Sequence, residues 1–231
     1  MNFPTSRIFR PSSPSSPAYV APFAAFLVFL GARDLIPGGP AVEYPLRVVV
    51  VAAVALVFSR HVLSFRVLRP LSSVALGAAV FLIWIAPDLL FPQLREHWLF
   101  DNPVTGTARS SLPAEVRGSL WFLAWRTAGC ALLVPVIEEL FWRAWLMRRL
   151  VAADFRSVPL GAYSALSFWA TAILFACEHG PYWDVGLLAG MAYNWWMVRT
   201  RSLGDCILAH AVTNACLAAW VVSTGQFQYW L

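Results

Sequence analysis

The chain has 231 residues, of which 59% are apolar and 13% charged, about half the roughly 25% charge typical of a soluble domain. A water-soluble fold of this length cannot hide so much apolar surface, so the composition excludes an ordinary soluble domain and calls for the bilayer as a second apolar solvent. The net charge of +5 does not point to nucleic acid, because the arginines stand at the ends of apolar runs, where membrane topology places them.

Residues 1–17 carry Arg7 and Arg10 and then PSSPSSP, which reads as a disordered cytoplasmic tail. Residues 18–231 read as a single transmembrane domain. Its apolar stretches at 18–36, 46–63, 70–90, 118–150, 159–179, 182–198 and 203–223 approach the ~20 residues a spanning helix needs. The expected fold class is all-α, a polytopic transmembrane bundle of about seven to eight helices with an intramembrane polar cavity. PGGP at 37–40, Arg60 to Arg69, the loop 92–117, Arg148 to Arg156, Gly180-Pro181 and Arg199 to Arg201 separate the stretches. With a cytoplasmic N-terminus the arginine clusters fall on one side, and the expected location is a bacterial inner membrane with multiple passes.

Loop 92–117 falls on the other side, and its charges, such as Arg95, Glu96 and Asp101, read as solvated surface. Strict alternation creates one conflict, since it puts His179 near the far face while Glu138 and His210 lie nearer the middle. Either 118–150 is broken at Pro135, or the helix ending at Gly180-Pro181 is short or displaced. The four cysteines, Cys130, Cys177, Cys206 and Cys216, lack CxxC spacing and read as small buried hydrophobes. Gly186 and Gly190 form a small-xxx-small pair suited to close helix packing.

The chemistry lies in three places. PVIEELFWRAWLMRR (135–149) holds Glu138, Glu139 and Arg143 within an apolar and aromatic helix, where a charge costs on the order of 2.5–3.5 kcal/mol at the bilayer centre. Glu139 and Arg143 are i, i+4 and can pair, while Glu138 points about 100° away and is left unpaired locally. The bland alternative is an interfacial charge cluster at a helix end. In FACEHG (175–180), Phe175 and His179 are i, i+4 with Glu178 beside the histidine; a lone histidine near a helix end is usually an interfacial or hydrogen-bonded residue. In HAVTN (210–214), His210 and Asn214 are i, i+4 and could hold a developing oxyanion, or could serve as an interhelical polar clamp. Taken together, a glutamate to activate water, a histidine beside it and a His/Asn donor pair are the parts needed for amide hydrolysis without a covalent intermediate.

The order EExxxR at Glu138-Glu139-Arg143, FxxxH at Phe175-His179 and HxxxN at His210-Asn214 resembles the CPBP family, the CAAX prenyl proteases and bacteriocin-processing proteins also called Abi. The resemblance covers about residues 118–223. The acidic residue before His179 and the run HAVTNACLA also resemble the bacterial CAAX-protease-related branch that accompanies exosortase systems. What the resemblance implies is an intramembrane endopeptidase with Glu138 as general base, His179 orienting the water and His210 with Asn214 stabilising the oxyanion. Glu139 and Arg143 would be structural or electrostatic support. The implied substrate is a membrane-associated or sorting-tagged polypeptide, and membrane lipids are the other expected partner.

No cofactor is expected, although two histidines and a glutamate are also a set that can bind zinc, so a zinc-dependent version of the same protease stays open. A non-enzymatic scaffold or immunity protein, using the same polar groups as interhelical glue, is the alternative from another class.

Overall fold

The computed structural model describes residues 15–230. Seven long helices account for most of them: α1 (Pro17–Ala32), α2 (Pro40–Ser59), α3 (Pro70–Leu90), α4 (Leu120–Arg149), α5 (Ala165–Cys177), α6 (Trp183–Thr200) and α7 (Leu203–Thr224). No strand occurs among the described residues, as the all-α expectation required. Five elements are long and apolar enough to cross a membrane: α1 with its short extension to Leu35, α2, α3, α4 and α7. Large apolar side chains such as Leu120 and Leu132 point outward, 83% and 68% exposed, which is tolerable only against lipid.

Local sequence chemistry sets the helix ends. Pro17, Pro40 and Pro70 each occupy the first turn of α1, α2 and α3, where a missing N–H costs nothing. Ser119, Ser164 and Ser202 cap α4, α5 and α7 by accepting from the backbone N–H of Phe122, Ser167 and Asp205. Gly225 ends α7 with φ at +72°, a left-handed stop that glycine takes without strain. Helix α1 starts at Pro17, the last residue of the expected tail, and Ser16 accepts a hydrogen bond from Trp145 Nε1 at 3.1 Å. Residues 1–14 of that tail lie outside the described residues.

The conflict over His179 resolves in favour of a short helix. The thirteen residues of α5 reach only about 20 Å, against a hydrocarbon core about 30 Å thick. His179, two residues past the end of α5, is therefore held short of the far face, where it is half-buried. Helix α4 continues through Pro135, but it widens into π-type turns at Gly129–Leu133 and Leu140–Leu146. A proline removes one N–H from the ladder and crowds the preceding turn, and local widening absorbs that crowding without a break.

Two expectations are corrected. Arg95 is not solvated surface: it is buried, donating to Asp88 at 2.7 Å, Asp184 at 2.6 Å and the Pro181 carbonyl at 2.9 Å. Burial of a guanidinium is tolerable only when carboxylates and carbonyls replace its water, and residues on both sides of it in the chain supply them. It thereby ties loop 92–117 to the start of α6. Of the cysteines only Cys206 is buried, and Cys177 is exposed on the outer face of α5.

At the opposite end of the bundle, Asp205 in the first turn of α7 accepts from the backbone N–H of Leu68 at 2.9 Å and of Arg69 at 2.8 Å. It also accepts from Ser73 Oγ at 2.9 Å. This staples the loop between α2 and α3 to α7.

Candidate active site

Helix α4 carries the three charges of the first motif at the junction of its α and π-type turns, a geometry that recurs at functional sites because it leaves carbonyls and side chains off the regular ladder. Glu139 and Arg143 are both fully buried, and Arg143 Nη1 donates to Glu139 Oε1 at 3.1 Å. The guanidinium also donates from Nε to Asn194 Oδ1 of α6 at 3.1 Å, and it lies over the Phe175 ring at 4.5 Å. Removing either partner of such a pair leaves a bare buried charge, a loss of about 3–5 kcal/mol. The same Glu139 oxygen meets His210 Nδ1 at 2.8 Å, so the ion pair on α4 holds the histidine of α7.

Glu138 points elsewhere, into a cavity of about 190 Å³ that is also lined by His179, His210 and Asn214. All four residues singled out for chemistry therefore border one space, although they come from α4, the end of α5 and α7. That volume admits several waters. Glu138 Oε2 is buried with no hydrogen-bond partner among the described residues. The Glu178 carboxyl stands in side-chain contact with Glu138 and is held by Trp142 Nε1 at 3.2 Å.

The histidines are fixed through Nδ1. His179 Nδ1 lies 2.6 Å from the Phe175 carbonyl, one turn back on its own helix, which leaves Nε2 as the nitrogen for the cavity. Its ring packs against Phe175 at 4.6 Å and edge-on to Trp84 of α3 at 5.2 Å. His210, with Nδ1 on Glu139, is stacked on Tyr193 at 4.9 Å, and the Tyr193 hydroxyl donates to Thr213 at 2.8 Å. Asn214 Nδ2 donates to the Cys130 carbonyl at 2.8 Å, a carbonyl in the first π-type stretch of α4. No second partner of that amide nitrogen occurs among the described residues, and Asn214 lines the cavity.

The glycine pair has more bearing on the site than general packing chemistry suggests. A Cβ on Gly186 would stand 3.2 Å from the His179 ring, and one on Gly190 would stand 3.2 Å from the Ala172 backbone. Small residues at both positions let α6 close on α5 and seat His179. Several residues around the site carried no signal in the sequence: the wall residues Trp84 and Tyr193, and Trp142 and Asn194 behind them, act through contacts far away in the chain. Among the described residues no group of three histidine, cysteine, aspartate or glutamate side chains converges as a metal site.

The family model described as type II CAAX prenyl endopeptidase, Rce1-like, matches residues 119–216. Over these residues the chain is similar to that family. The matched segment contains Glu138, Glu139, Arg143, His179, His210 and Asn214, in agreement with the resemblance read from the three motifs. The matched segment and the five long apolar elements together describe a multi-pass membrane protein. Comparison with curated proteins and with solved structures returned no match. Helices α1 to α3 lie outside the Rce1-like segment, yet Phe26, Tyr44 and Trp84 complete the cavity wall.

Proposed function

We propose that the protein is an intramembrane endopeptidase in which Glu138 activates water to hydrolyse a peptide bond of a membrane-associated or sorting-tagged polypeptide. The observation that carries this reading is the convergence of Glu138, His179, His210 and Asn214 on one cavity within the bundle. Glu138 takes a proton from water held between its carboxyl group and His179 Nε2, and the hydroxide attacks the carbonyl carbon. The oxyanion that forms is met by His210 and by the amide of Asn214. The C–N bond then breaks as Glu138 returns its proton to the leaving amine. Glu139 and Arg143 act as supports, and the reaction needs no cofactor. The N-terminus is cytoplasmic, and the membrane is a bacterial inner membrane.

The test is cleavage of a quenched peptide library by the protein purified in detergent, compared with Glu138→Gln and repeated with a chelator. Activity lost in the variant and indifferent to the chelator is the expected result. Loss with the chelator in the wild type would replace this reading with the zinc-dependent one, and a Glu138→Gln protein that still cleaves would remove Glu138 from the chemistry.

A further inference from the structure

The inner cavity is not closed equally on its two sides. Helix α5 starts at the arginine-rich side of the bundle and stops after thirteen residues, roughly 10 Å short of crossing the ~30 Å hydrocarbon core. The space left beyond it is a second cavity of about 910 Å³, with Glu178 and His179 on its floor and Thr105, Thr107 and Ser111 of the long loop along its rim. Trp84, Arg126, His179 and Tyr229 line both cavities, so the outer one is a vestibule that leads to the inner one. The cavity at the other end, about 250 Å³ between Tyr19, Arg66 and Arg148, shares no residue with the site. Between them stand the saturated Asp205 cluster and the fully buried Arg143.

The charges give this asymmetry a direction. Arg60, Arg66 and Arg69 follow α2, Arg148 and Arg149 end α4, and Arg156 lies in the next loop, all on the closed side. The loops on the vestibule side carry fewer, Arg33, Arg95, Arg109 and Arg117, while Arg199 and Arg201 add to the closed side. Excess arginine in short loops marks the cytoplasmic face. The vestibule therefore opens away from the cytoplasm.

We infer that substrate reaches Glu138 from the non-cytoplasmic face, through the vestibule between loop 92–117, the end of α1 and the segment 178–182. The substrate class is then a membrane-anchored polypeptide whose scissile segment has already crossed the membrane. The inference rests on the endopeptidase reading for what is cut, and on the vestibule and the arginine distribution for where it enters.

Ser111→Cys at the vestibule rim and Ser157→Cys on the closed side, each in a Cys177→Ser background, separate the two. In spheroplasts a membrane-impermeant maleimide should label Ser111→Cys and spare Ser157→Cys, and inverted vesicles should give the reverse. A bulky polyethylene glycol maleimide at Ser111 should then lower cleavage of the quenched library about tenfold or more, equivalent to at least one decade in rate. The same reagent at Ser157 should leave it unchanged. Labelling of Ser111→Cys only in inverted vesicles overturns the direction of entry, and full cleavage after Ser111 is blocked overturns the route. A wild type that cleaves nothing overturns the endopeptidase reading instead, while the labelling still decides the side on which the vestibule opens.

Discussion

Asp205 and Glu138 are both enclosed acids in membrane-crossing helices, 0% and 7% exposed, and their surroundings differ in kind. Asp205 is met by two backbone N–H groups and a serine hydroxyl, all within 3 Å. Glu138 keeps one buried oxygen with no hydrogen-bond partner among the described residues, and its residue lines a cavity that two histidines share. Burying a carboxyl group is costly unless donors replace its water. Where donors do, as at Asp205, the acid becomes a staple between a loop and a helix. At Glu138 the neighbour is a second acid, Glu178, and the cavity that both histidines line is the space left for water and substrate. Satisfaction, rather than burial, separates the structural acid from the chemical one.

The sharpest break of this comparison is Glu138→Gln, which should lower cleavage about a thousandfold, near 4 kcal/mol in barrier height, while the protein stays folded. Next is Arg143→Leu. It strands the buried Glu139 and frees His210, and should lose about 3–5 kcal/mol of stability, visible as a marked fall in melting temperature in detergent. Asp205→Asn should lose about 1–3 kcal/mol, since an amide serves the Leu68 and Arg69 N–H groups less well than a carboxylate. Its cleavage rate per folded molecule should be that of the wild type. Gly186→Ala should have the smallest effect. The added methyl meets the His179 ring at 3.2 Å and should reduce turnover a few-fold by tilting the imidazole, with little change in melting temperature.

Much of the bundle was legible from the chain alone. Long apolar runs bounded by proline, glycine and arginine mark the helices, because lipid demands both length and internal hydrogen bonding of each segment. The Glu139–Arg143 pair follows from helical spacing, and the separate direction of Glu138 follows with it. The length of α5 was hidden, because the apolar residues before it, among them Val158, Leu160 and Ala162, extend the hydrophobic run although the helix begins only after the Ser164 cap. The π-type turns of α4 leave no compositional trace. Arg95 was misread because its partners Asp88 and Asp184 are brought together by packing, one of them 89 positions away. The link from Trp142 to Glu178 spans 36 positions and was invisible for the same reason.

The most direct test puts Glu138→Gln and Asp205→Asn side by side in one detergent preparation, recording thermal unfolding and peptide cleavage on the same samples. The account predicts a crossing: Glu138→Gln melts at or above the wild-type temperature and is inactive, while Asp205→Asn melts lower and cleaves normally per folded molecule. Retained cleavage in Glu138→Gln, or loss of activity in folded Asp205→Asn equal to that in Glu138→Gln, would contradict it.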